Sequence, residues 1–320
     1  MKKQYLIPIL FIIALSAYLI FSQQDRTHYT LPDPPKVAAE NVNRLVVQKP
    51  DDTIAFTRTD QGWVVTDKAY PADETAMRQM LDVVTGLRLS ALVSENQDLL
   101  RYELDDGHRL DVTAYDQNTA LLSFKIGKTA PTFNHTFVML ENDPNIYHAA
   151  DSFRQHFDKT VNGFRDKQVL DFTEASITGI TIEASGKQTH LTAQETGPGT
   201  QDDPGAGFRY EDGSAPDPKT VSNLLSTLSV LSCDRFIDDP DKDNFKEKAP
   251  DLKIIIENST PIVLHLFDQE EEGQVFGTSS MSGYAFSLKE YVAKDIRSWA
   301  HELAGLTPEQ EEEEKEPAVQ

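Results

Sequence analysis

FRDKQVLDFTEASITGITI, residues 164–182, decides how this chain is divided. Its last residues, Ile177, Ile180 and Ile182, restart a strand-like apolar pattern much as Val42, Leu45 and Val47 start one earlier. The stretch is therefore a joint between two units of domain length. Working outward, Gly62-Trp63-Val64-Val65 leads through Tyr70-Pro71-Ala72-Asp73 into a helical pattern. After the joint, Gly207-Phe208-Arg209-Tyr210 leads through Ala215-Pro216-Asp217 into another. A shift of 144 positions lays Met77, Met80, Leu81, Val84 and Leu87 onto Val221, Leu224, Leu225, Leu228 and Leu231. Both sets are spaced i, i+3, i+4, i+7, i+10, one face of an α-helix. Asp73 and Asp217 fall where an N-cap is wanted, and Pro218 stands at the first helical position. The spacing predicts a duplicated unit, since internal repeats leave this kind of matched pattern.

Each half also reads as an α+β unit. The first alternates over Leu45–Gln48, Thr53–Thr57 and Trp63–Thr66, then turns helical over Glu74–Leu89. After a polar connection come strand patterns at Arg109–Tyr115, Leu121–Ile126 and Thr136–Leu140, and a helix over Asp151–Val161. The second half runs Gly179–Glu183, Thr189–Ala193, Phe208–Glu211 and the helix Pro218–Leu231. Leu252–Glu257, Ile262–Phe267, Gln274–Gly277 and a closing helix over Ser287–Leu303 complete it. Strands joined by short turns predict antiparallel sheets with helices packed on one face, made twice. The expected divisions are an anchor at 1–21, a stalk at 22–41, repeats at 42–171 and 177–305, and an acidic tail at 306–320.

The anchor reading rests on Tyr5–Phe21, YLIPILFIIALSAYLIF, which carries no charge and follows Lys2 and Lys3. Its residues, at ~1.5 Å each, span about 25 Å, the short end of a bilayer crossing. A cleaved signal peptide has a similar charge pattern. Here, however, no small-x-small site follows the run, and Tyr18-Leu19-Ile20-Phe21 come after its small residues. The two lysines place the N-terminus in the cytoplasm and everything beyond about residue 22 outside. Pro32, Pro34 and Pro35 suit an extended stalk, and the Glu-rich end from Pro308 cannot bury a core.

The single N-terminal span, the G-W-x-V and Y-P-A-D motifs, Tyr102-x-Leu104 and the closing Phe164-Arg165-Asp166-Lys167 together resemble the bacterial domain-of-unknown-function family 4340. The resemblance covers about residues 42–305; the second copy departs from it, with Phe208 for the Trp and Phe245-x-Glu247 for Tyr-x-Leu. It implies a membrane-anchored protein, often encoded beside gliding-motility-type ABC transporter components, with no assigned catalytic residues.

Chemistry is harder to find. A net charge of −22 repels phosphate backbones and argues against nucleic-acid binding. The one cysteine, Cys233, precludes an intrachain disulfide and reads as a small buried hydrophobe. Histidines stand at 28, 108, 135, 148, 156, 190, 265 and 301 without a His-x-x-x-His pair, and there is no G-x-S-x-G or P-loop. The weak calcium candidate is Asp239, Asp241 and Asp243, alternate positions of a cation loop. Asn244 replaces its glycine and Pro250 its bidentate glutamate, so a solvated connection is the better reading. Trp63, Tyr70, Phe153, Phe157, Tyr284, Tyr291 and Trp299 could line a sugar groove, but core packing explains aromatics at such positions. The expectation is an envelope-anchored interaction or scaffold protein with no cofactor and no catalytic residues. The alternative is an extracytoplasmic binder of glycan or peptide, with an envelope hydrolase third.

Overall fold

The computed structural model describes residues 12, 14–16, 29–65, 68–96, 98–194, 207–237, 245, 248–267 and 274–306. Two compact units divide between Arg165 and Asp166. The segment Asp166–Asp171, expected to close the first unit, belongs with the second. The backbone N–H groups of Val169 and Leu170 donate to Leu231 O, and both side chains join the second core. Most of the run 5–21 lies outside the described residues, and among those residues no helix is long and apolar enough to cross a membrane.

The first unit is a nine-stranded antiparallel sheet. Its strands are β1 (Arg44–Gln48), β2 (Thr53–Thr59), β3 (Gly62–Val65), β4 (Tyr70–Pro71), β5 (Leu89–Ser94), β6 (Leu110–Asp116), β7 (Thr119–Thr129), β8 (His135–Leu140) and β9 (Ile146–Ala150). They lie in the order β4-β3-β2-β1-β6-β7-β8-β9-β5. Alternation sends Leu45, Val47, Ile54, Phe56, Val112 and Phe124 inward, where they are buried. Helix α1 (Glu74–Gly86) is capped by Asp73, whose Oδ1 accepts from Ala76 N at 2.6 Å. Two sequence expectations change here. The edge strand β5 was missed, because two bulges against β9 break its alternation. The single helix over Asp151–Val161 is instead two short helices, α2 (Arg154–Phe157) and α3 (Val161–Phe164), the second capped by Thr160.

The second unit is an eight-stranded antiparallel sheet, α+β like the first. Its strands are β10 (Gly179–Ala184), β11 (Lys187–Ala193), β12 (Phe208–Tyr210), β13 (Arg235–Ile237), β14 (Leu252–Glu257), β15 (Ile262–Leu266), β16 (Gln274–Ser279) and β17 (Ala285–Lys289). The order is β12-β11-β10-β14-β15-β16-β17-β13. Helices α4 (Pro218–Ser229) and α5 (Glu290–Ala304) cover its core face. The Ser287–Lys289 stretch, expected to start the closing helix, belongs to β17. Cys233 is buried in this core.

The helix faces differ between the units. Val221, Leu224, Leu225 and Leu228 on α4 are all buried, whereas on α1 Met77, Met80 and Val84 are buried and Leu81 is only half-buried. The expected equivalence of Leu81 and Leu225 therefore fails. The reason is what flanks each helix: α4 packs beside the long α5, tied by Thr220 Oγ1 donating to Glu302 Oε1 at 2.9 Å. Among the described residues of the first unit, the other helices are short.

On the outer face of the first sheet, Tyr102 and Leu104 pack with Phe137, Met139, Ile146 and Ala130. This is what the Tyr-x-Leu motif does, and it depends on Gly127. A Cβ there would collide with the Tyr102 carbonyl oxygen and stand 2.9 Å from Leu104 Cγ. Gly127→Ala is expected to cost about 1–3 kcal/mol by overpacking. At Gly86, the last residue of α1, a Cβ meets open space. Gly86→Ala should be neutral or stabilising by up to about 1 kcal/mol. Denaturant melts of the two variants check this contrast; equal midpoints would remove the close approach at Gly127 from the account.

Candidate functional site

Asp239, Asp241 and Asp243 lie outside the described residues. Among the described residues no group of three or more His, Cys, Asp or Glu side chains is placed to hold a metal ion. Of the aromatics, Tyr70, Phe153 and Phe157 are core, and Trp299 packs against the second core. Trp63 and Tyr284 are half-buried, Tyr284 against Phe236, and Tyr291 departs furthest from the core reading, standing 63% exposed on the first turn of α5.

The most recognisable motifs turn out to close the first unit. Asp73 N donates to Phe164 O at 2.8 Å, and Ala72 bridges Arg165. The Arg165 guanidinium lies 3.7 Å from the Tyr70 ring centroid, with Arg165 only 4% exposed. Phe164 meets Phe56 edge-on at 5.0 Å. Tyr-Pro-Ala-Asp and Phe-Arg are thus two halves of one clasp, 92 residues apart in the case of Asp73 and Arg165, with a packing function.

The side chains best arranged for ligand chemistry are on the outer face of the second sheet. Alternation in β10 buries Ile180 and Ile182 and turns Thr181 and Glu183 outward. Pairing sets Thr181 opposite His190 on β11, and β14 brings Glu257 alongside. Thr181 Oγ1 donates to Glu257 Oε1 at 2.9 Å. His190 Nδ1 lies 3.0 Å from Thr181 Oγ1 and 3.3 Å from Glu257 Oε1, while Nε2 lies 3.2 Å from Thr192 Oγ1. The result is a hydroxyl–imidazole–carboxylate chain. It resembles a relay in connectivity, and it equally serves to fix a tautomer and present polar groups to a ligand.

This network opens into a cavity of about 790 Å³ lined by Lys187, His190, Tyr210, Asp212, Ser214 and Gly305, among others. Its volume is within the range of small-molecule sites. Tyr210 Oη donates to Leu303 O at 3.1 Å; burial, then the nearby Glu302 and Asp212 charges, raise its pKa. Hydrogen bonds from the Ser214 hydroxyl and N–H hold the Asp212 carboxyl below its usual value. Sequence reading located β10 and β11, so the outward positions of Thr181 and His190 were legible. Glu257, 76 residues from Thr181, was not, because register across strands leaves no local signal.

Histidine burial makes stability depend on pH. Burial lowers the pKa of His148, His156 and His265, with further lowering from His135, Lys159 and Lys253 respectively. The unfolded chain then binds more protons than the folded one below about pH 6.5, so stability is full above that value and falls on acidification. The thermal midpoint should drop between about pH 7.5 and about pH 5, and replacing all three by Gln should flatten the slope. An unchanged slope in the triple variant would contradict this.

Residues 63–250 match the family described as Domain of unknown function (DUF4340). No curated protein and no solved structure matches the chain.

Proposed function

Because the chain belongs to the DUF4340 family, we propose that it is a membrane-anchored, extracytoplasmic interaction protein of the bacterial envelope that works by docking rather than by catalysis. The carrying observation is the uncharged run Tyr5–Phe21 behind Lys2 and Lys3, followed by a large folded part. In this reading residues 1–21 hold the chain in the inner membrane, with the bulk outside. The regions 42–165 and 177–305 are copies of one unit. The shared strand order supports duplication: with β4 set aside, each sheet runs third, second and first strand, then the four later strands, then the strand after the helix. The partners are envelope membrane proteins, ABC transporter components among them, in line with the association the family resemblance implies.

A second reading is favoured by one feature, the cavity beside His190 and Tyr210, which suits a polar glycan or peptide. The test is to retrieve the full chain from detergent-solubilised native membranes and assay the material on envelope glycans and peptides. Stoichiometric co-purification of a transporter component, without turnover, is the expected result. Turnover abolished by Glu257→Gln, with no partner retained, would replace docking by catalysis; saturable glycan binding lost in Tyr210→Ala would favour the second reading.

A further inference from the structure

On the outer face of the first sheet, β8 and β9 are paired with Phe137 opposite His148 and His135 opposite Ala150. His135 and His148 are therefore diagonal neighbours on adjacent strands, and their rings stack with centroids 5.1 Å apart at an interplanar angle of 23°. Phe137 abuts His148 at 4.9 Å. Both histidines are half-buried, and among the described residues no carboxylate is paired with either. His135 Nδ1 lies 3.3 Å from Thr132 Oγ1. Two imidazoles stacked side by side bring nitrogen donors of the kind that ligate metal ions to one place on the sheet.

The fold does not require histidines here. In the second sheet, β16 and β17 hold the same places in the strand order, and Phe276 lies opposite Ser287 as Phe137 lies opposite His148. The residues at the corresponding positions are Gln274 and Ser287. The outer aromatic cluster persists there, with Phe245 packed on Phe276 at 5.7 Å where Tyr102 packs on Phe137 at 4.8 Å. The packing scheme is thus met without imidazoles, and the pair is specific to the first unit.

We propose that His135 and His148 form a chelating site for a divalent first-row transition ion of the copper, nickel or zinc type. Imidazole nitrogen suits these ions, and hard cations such as magnesium or calcium prefer oxygen. At metal–nitrogen bonds of about 2.0–2.1 Å the two donors must come about 3.3 Å apart. The two rings already lie on adjacent strands with centroids 5.1 Å apart, so chelation asks for reorientation of these two side chains. Two protein donors leave the remaining positions to water, so this is an exchangeable surface site rather than a structural one. It is independent of the docking reading.

The test is calorimetric titration of the untagged full-length chain in detergent with Cu²⁺, Ni²⁺, Zn²⁺ and Mg²⁺ salts. The expected result is one saturable site, tightest for Cu²⁺, silent to Mg²⁺ and weakening on acidification as protons compete. The double variant His135→Gln with His148→Ser, which installs the residues of the second sheet, should melt as the wild type does. It should lose affinity by about tenfold or more, as expected when both chelating donors go. Unaltered ion binding in that folded double variant, or the lack of any saturable Cu²⁺ site in the wild type, would overturn the proposal. Were the double variant to unfold, the single variant His148→Gln carries the same expectation, because what His148 gives the fold is ring contact with His135 and Phe137, which a Gln side chain of similar reach partly keeps.

Discussion

Leu225→Asp unfolds the second unit, while Leu81→Asp leaves the first one folded. Leu225 is fully buried on the face of α4 that meets β10, β14 and α5 residues such as Ile182, Ile254 and Ile296. A carboxylate there has no partner, and desolvating it costs several kcal/mol, comparable to the whole stability of a small domain. Leu81 sits at the margin of the buried face of α1, half-buried, so its carboxylate can turn toward water at a smaller cost of about 1–2 kcal/mol. Hydrogen exchange read by mass spectrometry separates the units. Protection should vanish across residues 166–306 in Leu225→Asp and persist across 42–165 in Leu81→Asp. Protection of both units in Leu225→Asp would mean that the face of α4 is not core.

The second large effect belongs to the clasp. Arg165→Ala removes a desolvated cation from the face of Tyr70, worth about 2 kcal/mol, and the packing of a buried aliphatic stem besides. The expected loss is about 3 kcal/mol, confined to the first unit. Arg165→Lys restores charge without the planar guanidinium and should recover only part of it. Loss of protection should begin at Tyr70–Asp73 and the start of α1, because Asp73 N is held by Phe164 O. An Arg165→Ala variant as stable as wild type would make the clasp ornamental.

Much of the fold was legible because its signals are local. Asp73 and Asp217 as caps, the apolar stripes of α1 and α4, and the alternation of β1, β10 and β14 each follow from a few neighbouring residues. What escaped is non-local or irregular. Bulges hid β5, and three residues were too few to mark β13. The flank of α1 could not be read from its own sequence, since Leu81 is left half-exposed by what does not pack beside it. The site residues show the same limit. His135 and His148, or His190 and Glu257, become neighbours only through strand register. The motifs that stood out most, Tyr-Pro-Ala-Asp and Phe-Arg, are prominent because of packing and mark no chemistry.

Protease accessibility tests most directly the proposal that the chain is held in the inner membrane with its folded bulk outside. Protease added to intact spheroplasts carrying the full-length chain should digest residues beyond the stalk and leave an N-terminal fragment containing Tyr5–Phe21 in the membrane fraction. Protection of the bulk until the spheroplasts are lysed, or a mature N-terminus near residue 22 on a chain released from the membrane, would contradict it.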